Sequence, residues 1–245
     1  MKTKHFAAVA ALLAGSFLAA HADPGTDITN AVTALSGQPN YSWKTTVVVP
    51  EGTQYRPGPT TGKTEKNGFT DVTMTRGDNT TEFIIKGDKV AINTPDNGWQ
   101  SSADVESDQG PGRFLAMMAR NFKLPAAQAA AIAGSVGTLT NNGDFIGGDL
   151  TEAGAKTLLS FRPRGGGGAP DISDARGSAK FWLANGALTK FEFHVSGKIS
   201  FNGNDRDVDR DTTLAITDVG TTKVTVPDDA LKIIAPKPAA DATAK

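Results

Sequence analysis

The sequence predicts an α+β fold, a strongly twisted antiparallel sheet with helices packed on one of its faces. Three observations predict it. Ala179 to Phe201 alternates like two long strands, helical periodicity is confined to short segments in the middle and at the ends, and strand-like segments lie on both sides of the central helices. Neither set of strands would cover its apolar face alone, so both are expected in one sheet.

The alternation fixes the first expectation about register. Ala179, Phe181 and Leu183, then Ala187, Thr189, Phe191, Phe193 and Val195, form a mostly apolar set. Lys180, Lys190, Glu192, His194 and Ser196 fall between them, with Trp182 and Leu188 as exceptions. This is the period of strands with one buried and one wetter face. Both apolar sets are odd-numbered, so the loop should have an odd number of residues. Ala184-Asn185-Gly186 supplies one, a type I turn with Gly186 in the left-handed position of a bulge. A two-residue Asn-Gly turn would set Lys180 opposite Phe191 and is not expected.

Residues 1–22 read as a signal peptide. Lys2 and Lys4 give a basic start, Phe6 to Ala20 an apolar run, and Ala20-His21-Ala22 a cleavage site. The run is too short and Ala-rich for a comfortable membrane span. The mature chain is expected to begin at Asp23, in the periplasm or secreted, with no membrane span. There is no cysteine, so disulfides, thiolate metal sites, cysteine nucleophiles and a lipidated N-terminal cysteine are not expected. Stability must then rest on an apolar core, and a chain of this size buries roughly 70% of its unfolded surface. Without Lys2 and Lys4, 23 basic groups face 26 acidic ones, which makes nucleic acid an unsuitable partner.

Thr26 to Ser36 predicts a first helix, with Ile28, Val32 and Leu35 on one face and Gly37 as its stop. Pro39 leads into a β-branched strand from Tyr41 to Val49. Pro50 to Asn67, with three prolines and several glycines, reads as a long mobile loop. Phe69 to Thr75 is a second strand. Thr80 to Ile85 and Val90 to Asn93 form a hairpin about Gly87-Asp88. Closing it at Lys86 and Lys89 pairs Ile85 with Val90 and Phe83 with Ile92, all four on one face. Pro95 to Gly98 turns the chain into a short strand at Trp99.

Gly112 to Phe122 predicts a helix with Phe114, Leu115, Met118 and Phe122 in one stripe and Arg113 and Arg120 elsewhere. Pro125 opens a second, Ala126 to Ala133, whose only large apolar side chain is Ile132, so it should make few contacts and be a low-stability element. Phe145 and Ile146 suggest a brief extended piece. Thr151 caps a third helix that buries Ala155, Leu158 and Leu159. Arg162 to Gly168 ends it, and 165–176 is expected to be a flexible Gly-rich loop. Thr212 to Val219 and Lys223 to Val226 read as strands, Pro227 to Leu231 as a last helical turn, and 236–245 as a disordered tail. Residues 23–235 are thus one domain.

Tyr41-Ser42-Trp43, Lys86-Gly87-Asp88-Lys89 followed by Gly98-Trp99, Leu188 to Phe193, and Asp218 to Pro227 carry a resemblance. Their order resembles the LolA/LppX-like half-barrel family of periplasmic lipoprotein and lipid carriers, most closely secreted bacterial members of no assigned function. The resemblance spans nearly all of the mature chain as strand order and loose motifs. It implies a strongly curved antiparallel half-barrel with helices on the concave face and acyl chains held between the two. Its possible partners are then a lipid or acylated lipoprotein, or an envelope protein. It carries no catalytic signature, and no site residue transfers from it.

His194 is the one histidine beyond the signal segment, and any Ser-His-Asp triad or histidine metal site would have to use it. It lies on the polar face beside Glu192 and Ser196 with no nucleophile elbow, so a half-exposed strand histidine is the simpler reading. Asp205, Asp207, Asp209 and Asp211 invite a calcium reading, but an EF-hand register from Asp205 meets Arg210 and Ile216 where glycine and glutamate belong. A solvated hairpin loop is expected instead. Arg162 and Arg164 flank the glycine run at a helix C-terminus, where cations favour the helix dipole without any ligand. Met117 and Met118, with Phe114 and Phe122, are candidates to line an adaptable apolar pocket.

The sequence therefore predicts a non-enzymatic envelope protein that binds or carries a lipid or acyl chain. The alternative is a partner-binding envelope module with a fully packed core. No catalytic residue, metal or cofactor is expected. The candidate ligand-lining residues are Phe83, Ile85, Val90, Ile92, Phe114, Leu115, Met118, Phe122, Phe181, Phe191 and Phe193, with the 114–122 stripe roofing a cavity opposite the last three.

Overall fold

The computed structural model describes residues 23–53, 56–107, 111–160, 170–201 and 203–235. The expected signal peptide, the Arg162 to Gly168 run and the 236–245 tail lie outside them. Strands β1 (Asn40–Val48), β2 (Thr60–Glu65), β3 (Thr70–Arg76), β4 (Asn79–Lys86), β5 (Lys89–Thr94) and β6 (Gly98–Ser101) form an antiparallel meander. After the helical part come β7 (Thr140–Asn141), β8 (Ile146–Asp149), β9 (Asp171–Ala184), β10 (Ala187–Phe201) and β11 (Asn204–Thr217). Because β1 pairs with β11, the two sets make one eleven-stranded sheet, ordered β6-β5-β4-β3-β2-β1-β11-β10-β9-β8-β7. Every pairing is antiparallel, and edge strands β6 and β7 do not meet. The result is the predicted α+β architecture, a curved and unclosed half-barrel.

Helices α1 (Pro24–Gly37), α2 (Ser102–Ser107), α3 (Pro111–Arg120), α4 (Pro125–Ala133) and α5 (Glu152–Leu159) cover the inner face. Asp23 caps α1 by accepting from the Thr26 amide at 3.1 Å, and the helix buries Ile28, Ala31, Val32 and Leu35. Thr151 caps α5 as expected, accepting from the Gly154 amide at 3.0 Å; Ala155 and Leu159 are buried there and Leu158 is half-buried. The small helix α4 packs along α1 with Pro125, Ala126, Ala129 and Ile132 all buried. It is thus better seated than its short side chains suggest. The last helix, α6 (Asp228–Ile234), lies on the other face. Its Ala230 and Ile234 close over Ile84 and Ala91, with Trp99 and Val226 alongside.

Several expected boundaries shift. Pro50 to Asn67 is not all loop, since Thr60–Glu65 pairs with both β1 and β3. Its glycine is a packing notch rather than a breaker: a Cβ on Gly62 would lie 2.0 Å from the Trp43 ring. Strand β9 begins at Asp171, inside the stretch 165–176 that composition marks as a Gly-rich loop. Asp205 to Asp211 is strand, not hairpin loop, each residue paired with β10. Lys223 to Val226 forms no strand; it crosses the outer face, where the Val224 amide donates to Glu65 Oε1 at 3.0 Å.

The β9–β10 hairpin corrects the expected turn. Ala184 pairs with Ala187, so the turn is the two-residue Asn185-Gly186, both at positive φ (51° and 77°). A bulge between Leu188 and Lys190 then restores the faces, and Phe191 sits opposite Phe181, not Lys180. Thr189, the extra residue, donates its hydroxyl to the Trp182 carbonyl at 3.1 Å. Ala187 and Thr189 are therefore exposed, while Leu188 is buried.

Candidate functional site

The sheet's inner face is mainly apolar, with Thr64, Thr212 and the inward Arg210 as polar exceptions, and the helices cover it unevenly. Beneath α1 and α5, Phe181 and Phe191 are fully buried and stack at 6.2 Å, with Val195 beside them and Phe193 nearly buried. Beneath α3 and α4 the covering side chains are small. Ala116 and Ala119 turn α3 toward the sheet, and two clefts remain there.

Phe122, just past the end of α3, stands between the clefts. It stacks on Trp43 at 5.9 Å with the rings 24° apart, and Trp43 is set by the notch at Gly62 and by Tyr41 at 5.9 Å. The larger cleft, about 650 Å³, is lined by Tyr41, Ile85, Val90, Leu124 and Ala126, with Glu65, Lys66, Asp88 and Arg120 among its polar lining residues. Burial pushes the Tyr41 hydroxyl up to about 12, the Ala126 backbone pulling weakly the other way. The smaller cleft, about 360 Å³, has Trp43, Val72, Met74, Phe83, Met118 and Leu214 on its walls, with Thr45, Thr60, Asn121, Lys123 and Gln128. Ile85, Ala119 and Phe122 line both and form the partition.

The expected lining residues divide accordingly. Phe83 and Met118 line the small cleft, Val90 the large one, Ile85 and Phe122 both. Ile92 is fully buried in the core, and Leu115 is half-buried against it. Phe114 turns outward and is 43% exposed, because the inner stripe of α3 is carried by its alanines. Phe181, Phe191 and Phe193 pack under α1 and α5, away from α3, so the 114–122 stripe does not roof them. Sequence reasoning missed Trp43, Val72, Met74 and Lys123. The alternation of β1 and β3 was a usable signal for the first three; nothing in the pattern marked Lys123.

Polar candidates sit on the outer face. His194 approaches Asp211 Oδ1 at 3.1 Å and Asp209 Oδ1 at 3.7 Å across the β10–β11 ladder. Asp205, Asp207, Asp209 and Asp211 project in an exposed row, while Arg210 turns inward and donates to the Leu158 carbonyl at 2.8 Å. No group of three or more His, Cys, Asp or Glu side chains that could hold a metal ion occurs among the described residues. No described helix is long and apolar enough to cross a membrane.

Fold and site together define an antiparallel half-barrel with two clefts between its helical cover and its sheet, the larger of mixed polarity and the smaller mainly apolar. The chain is similar to the crystal structure of the Mycobacterium tuberculosis lipoprotein LppX, at 11% identity and a TM-score of 0.45, covering 82% of this chain and 97% of that one. It is also similar to LprF from Mycobacterium bovis, at 15% identity and a TM-score of 0.44, covering 84% and 97%. No family model matches the chain, and no curated protein matches it.

Proposed function

We propose that the protein is a non-enzymatic binder or carrier of a lipid or lipoprotein acyl chain in the cell envelope. One observation carries this reading: the inner face is mainly apolar, yet it is left open as two clefts where α3 and α4 cover it. A fold that needed only a closed core would fill that space, since protein interiors pack to crystal-like density. Volumes of about 650 and 360 Å³ fall within the range of small-molecule sites. Catalysis is not part of the proposal. His194 lies on the outer face, away from the clefts, between carboxylates that hold it in the strand ladder.

The test uses two measurements on one pair of proteins, uptake of a fluorescent fatty acid and the denaturation midpoint. The parent should take up the probe. Met118→Trp, which extends a half-buried cleft side chain, should block uptake and leave the midpoint unchanged or raised. No uptake by the parent, with a midpoint clearly lowered in the variant, would overturn the proposal and favour the partner-binding module with a packed core. Native mass spectrometry of protein purified from its own envelope supplies a second check, with retained lipid as the expected result.

A further inference from the structure

We propose that the small cleft selects a single-chain anionic amphiphile, its acyl chain lying along Val72, Met74, Phe83 and Met118 and its head group meeting Lys123. The inference rests on the acyl-binding reading above and adds the charge and the number of chains. The two clefts differ sharply in their charged linings. The large cleft is lined by both signs, Glu65 and Asp88 with Lys66 and Arg120. The small cleft is lined by one charged residue, Lys123, and its other polar groups, such as Asn121 and Gln128, are neutral. Arg120 is already engaged by Glu106 and the Ser102 carbonyl, whereas Lys123 forms no ion pair among the described residues. Lys123 is itself exposed, and no aspartate or glutamate is among the lining residues of the small cleft.

An apolar floor with a single cation beside it matches a long apolar tail ending in a negative charge. A cationic head group would find no counter-charge there. A neutral one would gain only hydrogen bonds, while a charge-assisted bond is roughly twice as strong. The volume, about 360 Å³, sits near the bottom of the range for ligand pockets and suits one chain rather than several. Fatty carboxylates and alkyl phosphate esters share this chemistry.

The experiment compares dodecanoate, dodecyl phosphate, dodecyl maltoside and dodecyltrimethylammonium, each below its micelle concentration, by displacement of a fluorescent probe from the mature chain. The two anions should bind about fivefold tighter than the maltoside, the scale expected of a partly exposed ion pair. Their order distinguishes a fatty acid from a phosphate ester as the source. Lys123→Ala should bring anions and maltoside within about twofold, Lys123→Arg should keep the preference, and Lys123→Glu should reverse it toward the cation. The maltoside affinity should move less than the anion affinity in each of the three, and the denaturation midpoint should stay unchanged. Equal binding of all four head groups, or an anion preference that survives Lys123→Glu, would overturn this inference alone. Failure of all four to bind would overturn the acyl-binding reading and this inference with it.

Discussion

Phe191 and Phe122 are the same side chain in opposite halves of one sheet, and their surroundings differ. Phe191 is fully buried, stacked on Phe181 beneath α1 and α5. Phe122 is half-buried, stacked on Trp43, and lines a cleft on each side. The floor is apolar in both places, so the difference comes from the cover. Helix α1 sends Ile28, Val32 and Leu35 into the core, and α5 sends Leu159. Helix α3 sends Ala116 and Ala119, which are too small to fill the same gap. The open space beneath the cover is therefore set by the size of the helical side chains, not by the strands.

Truncating the two aromatics should break the symmetry most. Phe191→Ala leaves a void in a closed core and should cost about 3 to 5 kcal/mol. Phe122→Ala removes a side chain that already borders open space, and about 1 to 2 kcal/mol is expected, since the transfer and cavity terms are both smaller there. It should also join the two clefts. Urea denaturation midpoints check the energies, and uptake of longer fluorescent acyl probes checks the joining. Equal losses at both positions would mean that the two halves are packed alike.

Adding volume should separate the halves in the opposite sense. Val195→Phe places extra atoms where no space exists, at an expected cost of about 1 to 3 kcal/mol. Met118→Trp in the small cleft should cost nothing measurable by the same urea midpoints. A penalty at both sites would show that the space beneath α3 closes in solution.

The closed half was the more legible from sequence, and for a clear reason. Long strands with aromatic alternation advertise both face and partner, as Phe181, Phe191 and Phe193 do. One misread there, the turn at Asn185-Gly186, had its clue in Leu188. An apolar residue off the beat marked the bulge that resets the register after a two-residue turn. The cleft half was harder. Gly62 reads as a loop signal, yet it is the space into which the Trp43 ring fits, and only the tertiary contact reveals that. In the closed half too, Asp205 to Asp211 reads as a solvated loop because every second residue is acidic. The residues between them, Arg206, Val208 and Arg210, face the other way along β11, and the pairing with β10 makes the strand. In α3 the largest residues, taken as the inner stripe, misled: alanines do the packing and Phe114 points out. The site was thus half readable, its floor from β4 and β5, its roof only through Met118 and Phe122.

Asp71 offers a smaller test on the outer side of the cleft half. It faces Lys63 on β2 and lies near Glu82, and its Oδ1 is buried without a hydrogen-bond partner among the described residues. Burial, then the Glu82 charge, pushes its carboxyl up to about 6, Lys63 acting the other way. A folded value above the unfolded one means that the folded state holds this proton more tightly. Stability from this group is full below the ordinary carboxylate value of 3.8 and is lost as pH rises through about 6. The urea midpoint should therefore fall as pH rises from 3.8 to about 6 and level off above that. Asp71→Asn should flatten that step and raise the midpoint at neutral pH. The group is partly exposed, so solvent screening keeps the effect below those of the core changes. A step of unchanged size in Asp71→Asn would assign it to another group.

The smallest effect sharpens the comparison at a helix end. In the closed half, α5 begins with a side-chain cap from Thr151. In the cleft half, α4 begins at Leu124, which has no capping group and lines the large cleft, 37% exposed. Of its first-turn amides, that of Ala126 meets the Tyr41 hydroxyl and that of Gln128 the Leu124 carbonyl, but Leu124 offers them no side-chain acceptor. Leu124→Ser should supply the missing acceptor and raise stability by about 0.5 to 1 kcal/mol, the low end of an N-cap's usual contribution. The gain should be partly offset by the apolar contact that Leu124 makes in the cleft. Thr151→Ala should cost about as much as Leu124→Ser gains. If acyl chains enter by lifting the α3–α4 cover, the capped variant should also slow probe entry, in proportion to the local stabilisation, while Thr151→Ala leaves entry unchanged. Stopped-flow uptake on the two variants reads this directly. Faster entry in Leu124→Ser would place the route elsewhere, through the large cleft that the leucine side chain partly obstructs.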